Sequence, residues 1–202
     1  MVEVFLGGEA EVRIYDDRVE KVRVPKRYRV RELDEIIRSR RTTLEARILS
    51  AARRAGVATP IVLDVEGDRI VMERIKGTPV KEAMDVEVCR KIGEAVARLH
   101  AAGIIHGDIT PMNMILSGDV VYFIDFGLAF HDERLEAKGV DIHVFYEALK
   151  AGFDGWEELW RAFLEGYSSY EKFDEVMERF REIELRGRYV DKDSHQLQDI
   201  EG

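Results

Sequence analysis

The stretch HGDITPMNMILSGDVVYFIDFG, residues 106–127, sets two aspartates and an asparagine among mostly apolar residues. MIL and VVYFI read as short strands joined by the turn SGD. Asp108, Asn113 and Asp125 lie close together, and two of the three sit beside runs that read as buried strand. Solubility does not require polar groups there. Asn113 is also the single asparagine of the chain, and the two glutamines, Gln196 and Gln198, fall at its very end. Depletion of Asn and Gln beside plentiful Glu, Arg and Lys is a thermophile-like composition. A chain that avoids asparagine elsewhere, yet keeps one between two aspartates, needs its amide oxygen there.

The order of elements gives this stretch a setting. VEVFL, AEVRIY and RVEKVRV read as three strands separated by the turns GGE and DDR. The basic link PKRYRVR leads into a helical pattern from about Glu32 to Ala55, ended by Gly56. Leu33, Ile36, Ile37, Leu44, Ile48 and Leu49 recur there at helical spacing, as one helix or as two broken near Ser39. PIVLDVEGDRIVMERI is a hairpin. A helix from about Asp85 to Ala102 carries Val88, Ile92, Val96 and Leu99 on one face. After residue 137 the pattern is helical, closing with a stripe of Phe173, Val176, Met177, Phe180 and Ile183 that reads as core or partner face. The expected class is α+β. Residues 1–76 form a β-rich first lobe with one long helical segment, and residues 77–187 a reduced, mostly helical second lobe. Residues 188–202 read as a loose polar tail.

Length and charge narrow the function. The 202 residues suffice for one domain or two small lobes sharing a cleft. No apolar run reaches the ~20 residues of a membrane span, and the N-terminus lacks a signal-peptide pattern. The single cysteine, Cys89, excludes an internal disulfide framework and reads as a buried thiol on a helix. The expected compartment is the cytoplasm, without a membrane partner. Net charge is −9, yet Lys21 to Arg54 holds twelve Lys/Arg against four Asp/Glu. A basic face on an acidic body suggests a local phosphate or RNA contact, or else a solvated ionic helix face.

A nucleotide site needs what the opening stretch offers. Magnesium takes oxygen ligands, commonly one or two from protein and the rest from phosphate and water. Asp125, at a strand end before Gly127, suits a first ligand, and Asn113 a second. Asp108 is left to orient or deprotonate an attacking hydroxyl or water. His106 braces the loop by hydrogen bonding. The turn holding Gly7, Gly8, Glu9 and Ala10 can lay backbone N–H groups over phosphates. Lys21 alternates with Val22 and Val24 and can point into a cleft. Glu45, the only acid between Glu35 and Asp64, is its candidate partner.

Glycine turn, strand lysine, helix glutamate, H-x-D-x4-N and D-F-G follow one another in the order of the protein-kinase signature. The chain resembles the protein-kinase-like superfamily over nearly its whole length. Within it, GGEAEV, VEKVRVPKRYRVRELDEIIRSRRTTLEARIL, HGDITPMNMI, FIDFGLAF, VDIHVFYEAL and ELRGR are similar to the small atypical kinases of the KEOPS complex, the Bud-thirty-two or PRPK family. The resemblance implies a two-lobe kinase-like fold, with ATP and Mg2+ as cofactors and Mn2+ as an alternative ion. It implies that Lys21 contacts the α/β-phosphates, positioned by Glu45. Asp108 is then the catalytic aspartate, and Asn113 and Asp125 bind the metal. Met72 and Glu73 fall at the adenine-holding hinge, and Asp141 matches a buried helix aspartate that braces the catalytic loop. As an isolated residue Asp141 also suits a helix cap. The family's implied activity is weak serine/threonine phosphorylation with partner-dependent ATP hydrolysis. Its implied partners are the threonylcarbamoyl-transferase subunit, the other small KEOPS subunits and, through the complex, tRNA, with the basic 21–54 segment as one contact.

The chain departs from conventional protein kinases in lacking G-x-G-x-x-G, in HGD for HRD, and in the absence of A-P-E. The acidic tail YVDKDSHQLQDIEG departs from a short basic one. Alternatives are a small-molecule phosphotransferase, which uses HGD but needs a larger helical lobe, and a RIO-type kinase, from which the KRYR…RTTLEAR block sets the chain apart. A third is a nucleotide-binding scaffold, disfavoured by five filled catalytic positions.

Overall fold

A computed structural model describes residues 2–198, with side chains as far as Arg186. Its first lobe is a five-stranded antiparallel sheet with one helix. Strands β1 (Glu3–Leu6), β2 (Ala10–Ile14) and β3 (Arg18–Arg23) form a meander. Helix α1 (Arg31–Arg54) and the hairpin β4 (Val62–Glu66) and β5 (Arg69–Glu73) follow, giving the spatial order β1-β2-β3-β5-β4. Lys21 faces Val12 on one side and Ile70 on the other, so the middle of β3 is the middle of the sheet.

Of the two helical readings, the single unbroken helix is observed. Neither Pro nor Gly interrupts residues 31–54, and the Thr43 hydroxyl donates back to the Ser39 carbonyl at 3.0 Å, leaving the ladder intact at that point. Gly56 ends it with φ +84°. Val57 N–H reaches Ala52 O and Gly56 N–H reaches Arg53 O, both at 3.1 Å. These two bonds satisfy carbonyls that the helix end would orphan, a closure that needs the left-handed conformation glycine adopts freely.

The second lobe begins with β6 (Thr78–Pro79) and the one-turn α2 (Val80–Ala83). Helix α3 (Val86–Ala101) and β7 (Ile104–Ile105) precede a 3-10 turn at Pro111–Asn113 and the hairpin β8 (Met114–Ser117) and β9 (Val120–Phe123). The rest is β10 (Phe130–His131), α4 (Leu135–Gly152), α5 (Trp156–Tyr167) and α6 (Phe173–Gln198). Asp85 caps α3 by accepting Val88 N–H at 2.8 Å. Val88, Ile92, Val96 and Leu99, together with Cys89, are buried; burial pushes the Cys89 thiol pKa up to about 12. On α6, Val176, Met177 and Phe180 pack into the core, so that stripe is interior.

Two pairings escape local sequence signals. β6 pairs with β8 and β7 with β10, each over two residues distant in sequence. The loose tail expected from residue 188 is corrected in part. α6 continues to Gln198, with no Gly or Pro after Gly187 to end it. Residues 199–202 lie outside the described residues. One hydrophobic cluster spans both lobes, from Ile48, Leu49 and Ile70 to Leu99, Phe123 and Phe163. Phe123 N–H also donates to Ala58 O at 3.0 Å, tying β9 to the segment after α1. The lobes are thereby held at a set distance across their cleft.

Helices α3 and α5 touch backbone to backbone. A Cβ on Gly93 would lie 2.1 Å from Phe163 O, and one on Gly166 2.0 Å from Arg90 O. We expect Gly93→Ala and Gly166→Ala each to destabilise the fold by about 1–3 kcal/mol. Gly152→Ala meets nothing within 4 Å and gains up to about 1 kcal/mol. Thermal unfolding midpoints of the three variants check this.

Candidate active site

Strand alternation places Lys21 and Arg23 on one face of β3, and α1 brings Glu45 against both. Lys21 Nζ donates to Glu45 Oε1 at 2.7 Å, and Arg23 Nη2 to Glu45 Oε2 at 2.5 Å. Glu45 is 2% exposed and Arg23 5%. Lys21 also donates to Asp125 Oδ1 at 2.8 Å, which joins the sheet to the end of the β8–β9 hairpin. Burial alone would lower the Lys21 pKa, but the Glu45 and Asp125 carboxylates outweigh it and raise it. Burial would likewise raise Asp125, whereas Lys21 and the Gly127 N–H, 2.8 Å away, hold it below the usual carboxylate range.

Asn113 organises the loop before that hairpin. Its Nδ2 donates to Asp108 O at 3.0 Å and to Asp108 Oδ2 at 2.8 Å. Its own carbonyl accepts Ile124 N–H at 3.0 Å, so Asp108 and Asp125 share a support. Beneath them, buried Asp141 on α4 accepts the backbone N–H of His106 at 2.8 Å and of Gly107 at 2.7 Å. His100 Nε2 reaches the same carboxylate at 3.1 Å, while His100 Nδ1 meets Tyr167 OH at 2.8 Å. Asp141 lies inside α4 and makes loop contacts, which excludes the helix-cap alternative. Gly107 needs to be glycine: its φ is +80°, and a Cβ would lie 2.6 Å from Leu128 O.

His106 packs against Phe126 with ring centroids 4.7 Å apart, and its Nδ1 accepts Asp108 N–H at 3.3 Å. Burial lowers its pKa from the ordinary value, against the opposing pull of Asp141, Asp125 and Asp108. The imidazole is thus a neutral brace.

A cleft of about 470 Å3 opens above this cluster. Gly7, Gly8, Glu9 and Ala10 line one wall, with Lys21, Asp108, Asp125 and Gly127 opposite. Asn113, His106, Glu45 and Asp141 stand behind those residues. Met72 and Glu73 do not line it. Met72 is buried in the β5 ladder, and Glu73 spends its N–H on Ile61 O at 2.8 Å. Sequence reasoning missed Arg23, although its two-residue offset from Lys21 was a readable signal. It also missed Lys26, whose Nζ reaches Gly8 O at 2.6 Å, and Arg41, which pairs with Glu9 at 2.9 Å. Both pin the glycine turn, and only the fold brings them there.

Residues 9–140 match the RIO domain family. A probable serine/threonine-protein kinase BUD32 homolog of Archaeoglobus fulgidus is 60% identical over 191 residues, covering 95% of this chain and 98% of that protein. The chain belongs to the Bud32 family. The KEOPS complex subunit Bud32 of Pyrococcus abyssi is 44% identical, over 85% of this chain and 84% of its own. A probable bifunctional tRNA threonylcarbamoyladenosine biosynthesis protein of Methanosarcina acetivorans is 47% identical over 84% of this chain, which spans only 31% of that longer relative. Among solved structures, the Rio2 kinase–ADP/Mg2+–phosphoaspartate complex from Chaetomium thermophilum matches with TM-score 0.65 at 17% identity, over 91% of this chain and 70% of that one. That likeness shows the protein-kinase-like fold. The Bud32 relatives bear out the family expected from the motifs, and the RIO match shows that this chain carries a RIO-type domain. Among the described residues, no helix is long and apolar enough to cross a membrane.

Removing the Glu45 charge strands the buried Arg23 and leaves Lys21 with Asp125 alone. Glu45→Ala should cost about 3–5 kcal/mol in urea unfolding. His106 gives the pH dependence. Its folded pKa is depressed, so its contribution is whole above the unfolded value near about 6.5 and is lost as pH falls through the folded pKa. Unfolding free energy should therefore drop between pH 7.5 and 5.5, and drop less in His106→Leu.

Proposed function

We propose that this chain is the atypical kinase subunit of the KEOPS complex. In this reading it is an ATP-dependent serine/threonine phosphotransferase or partner-stimulated ATPase supporting threonylcarbamoyladenosine formation in tRNA. The observation that carries the reading is the convergence of Lys21, Asp108 and Asp125 on one cleft beneath the glycine turn. The Bud32 relatives named as a kinase and as a KEOPS subunit support it. So does the fused relative, in which the matching segment sits inside a threonylcarbamoyladenosine biosynthesis protein. The threonylcarbamoyl-transferase subunit, the other small KEOPS subunits and tRNA are the partners in this reading, and the setting is cytoplasmic. Lobes 1–76 and 77–187 enclose the nucleotide, and Met72 and Glu73, the last residues of β5, lead into the hinge between them.

The donor set fits a hard divalent ion. Asn113 spends its Nδ2 on Asp108, which leaves its amide oxygen as a donor, and Asp125 Oδ1 is already engaged by Lys21 and Gly127. Asn113 Oδ1 and Asp125 Oδ2 would hold Mg2+, or Mn2+, both of which prefer oxygen ligands. Such an ion supplies positive charge to the phosphates of ATP. Lys21, kept charged by its two carboxylates, holds the α/β-phosphates, and the backbone of Gly7–Ala10 covers them. Asp108 accepts the proton of an attacking serine hydroxyl or water as the new oxygen–phosphorus bond forms and ADP departs. Only residues 128–140 separate D-F-G from Asp141. The catalytic loop is thus held by Asp141 and His100 rather than by a phosphorylated activation segment.

Phosphate release and protein labelling from labelled ATP with Mg2+, alone and with the transferase subunit and tRNA, test this reading. Asp108→Ala and Asp125→Ala should each lower turnover by about 100-fold or more, and the partner should raise wild-type release. Transfer to an added small molecule with no response to the partner would overturn it.

A further inference from the structure

The basic segment 21–54 does not act as one surface. Lys21, Arg23, Lys26 and Arg41 turn into the cleft and its glycine turn. Arg38 binds Asp34 and Asp68, Arg53 donates to Thr59 O at 2.7 Å, and Arg29 and Arg31 pair with nearby acids. Arg27, Arg40, Arg47 and Arg54 remain, exposed and without a hydrogen bond or ion pair among the described residues. Arg27 lies in the link before α1, and the other three lie on the helix. They recur every seven residues along α1, so they form a nearly straight row with a step of about 10.5 Å. Arg47 lies about 200° around the helix from Glu45, on the side facing away from the catalytic cleft.

Arg47 and Arg54 of this row border a groove between α1 and β4, and Arg40 continues the row one step toward the helix start. Two shallow cavities of about 350 and 360 Å3 run along it, and Arg54 lines both. Arg47 and Arg53 flank it, the floor is Ala46 and Val62, and no acidic residue lines either cavity. This acid-free strip lies on a chain of net charge −9. A polyanion is repelled by the acidic remainder and admitted here. Guanidinium forks match phosphate oxygens, which a strongly hydrated ammonium does less well.

We propose that Arg40, Arg47 and Arg54, with the α1–β4 groove, form a contact for an RNA phosphate backbone. This inference deepens the reading of the chain as a component acting on tRNA and rests on it. The contact is sequence-independent: it holds the strand in place and reads no base.

The test uses the full chain and an unmodified tRNA transcript, with affinity measured over a series of salt concentrations. The Arg40→Gln/Arg47→Gln/Arg54→Gln variant should bind at least tenfold more weakly at low salt. Its slope of log K against log salt should be shallower by about two. A control carrying Arg31→Gln, Arg90→Gln and Arg98→Gln, which removes exposed arginines paired to acids, should bind nearly as wild type. ATP hydrolysis and the melting temperature of the row variant should match wild type, which excludes misfolding. Unchanged affinity and slope in the row variant, or no tRNA binding by wild type, would overturn the proposal. Loss of poly-L-glutamate binding with tRNA binding retained would overturn it in favour of an acidic protein. Asp108→Ala separates the two claims, since it abolishes turnover and should leave tRNA binding intact.

Discussion

The Glu45 carboxylate, held between Lys21 and Arg23, is the interaction on which the first lobe depends. Taking a carboxylate out of water is costly unless charge and hydrogen bonds replace the solvent. Here each oxygen meets one cation, and Asp125 adds a second negative charge on Lys21. Two cations and two carboxylates therefore form a neutral cluster that spans β3, α1 and the end of β9. That cluster orients α1 on the sheet and sets Lys21 in the cleft. It also links the nucleotide side of the first lobe to the D-F-G turn of the second.

A second anchor supports the catalytic loop from below. Asp141 receives two consecutive backbone N–H groups and a histidine, so both its oxygens are used in the C-lobe core. Gly107 fits between this anchor and Leu128, where no side chain has room. The loop is thus shaped by packing already present in the folded chain. In kinases with a long activation segment, added phosphate can do that ordering. The short 128–140 link replaces that device with permanent contacts.

Much of this was legible in the sequence because the chemistry demands particular residue types. The glycine turn, Lys21, Glu45, Asp108, Asn113 and Asp125 stand in a fixed order, and strand and helix periods put the first three on facing elements. The single asparagine was the plainest signal, and its amide does organise Asp108. Arg23 went unread because a basic strand residue looks solvated until a helix covers it. Lys26 and Arg41 went unread for the same reason, so the basic segment looked like one face when half of its twelve cations are buried or half-buried. The glycine pair at the α3–α5 crossing had no local signature either, since helix propensity alone counts against glycine there.

The sequence by itself determined the elements, the nucleotide-site residues and the likeness to a kinase family. Hydrophobic period, turn chemistry and motif order are all local or ordinal properties. Only the tertiary structure decided which charges are spent inside and which remain for a partner. It alone placed β6 beside β8 and β7 beside β10, and it alone set Met72 and Glu73 back from the phosphate cleft. Those outcomes depend on which groups lose their water when distant segments pack, and desolvation is a property of the assembled fold.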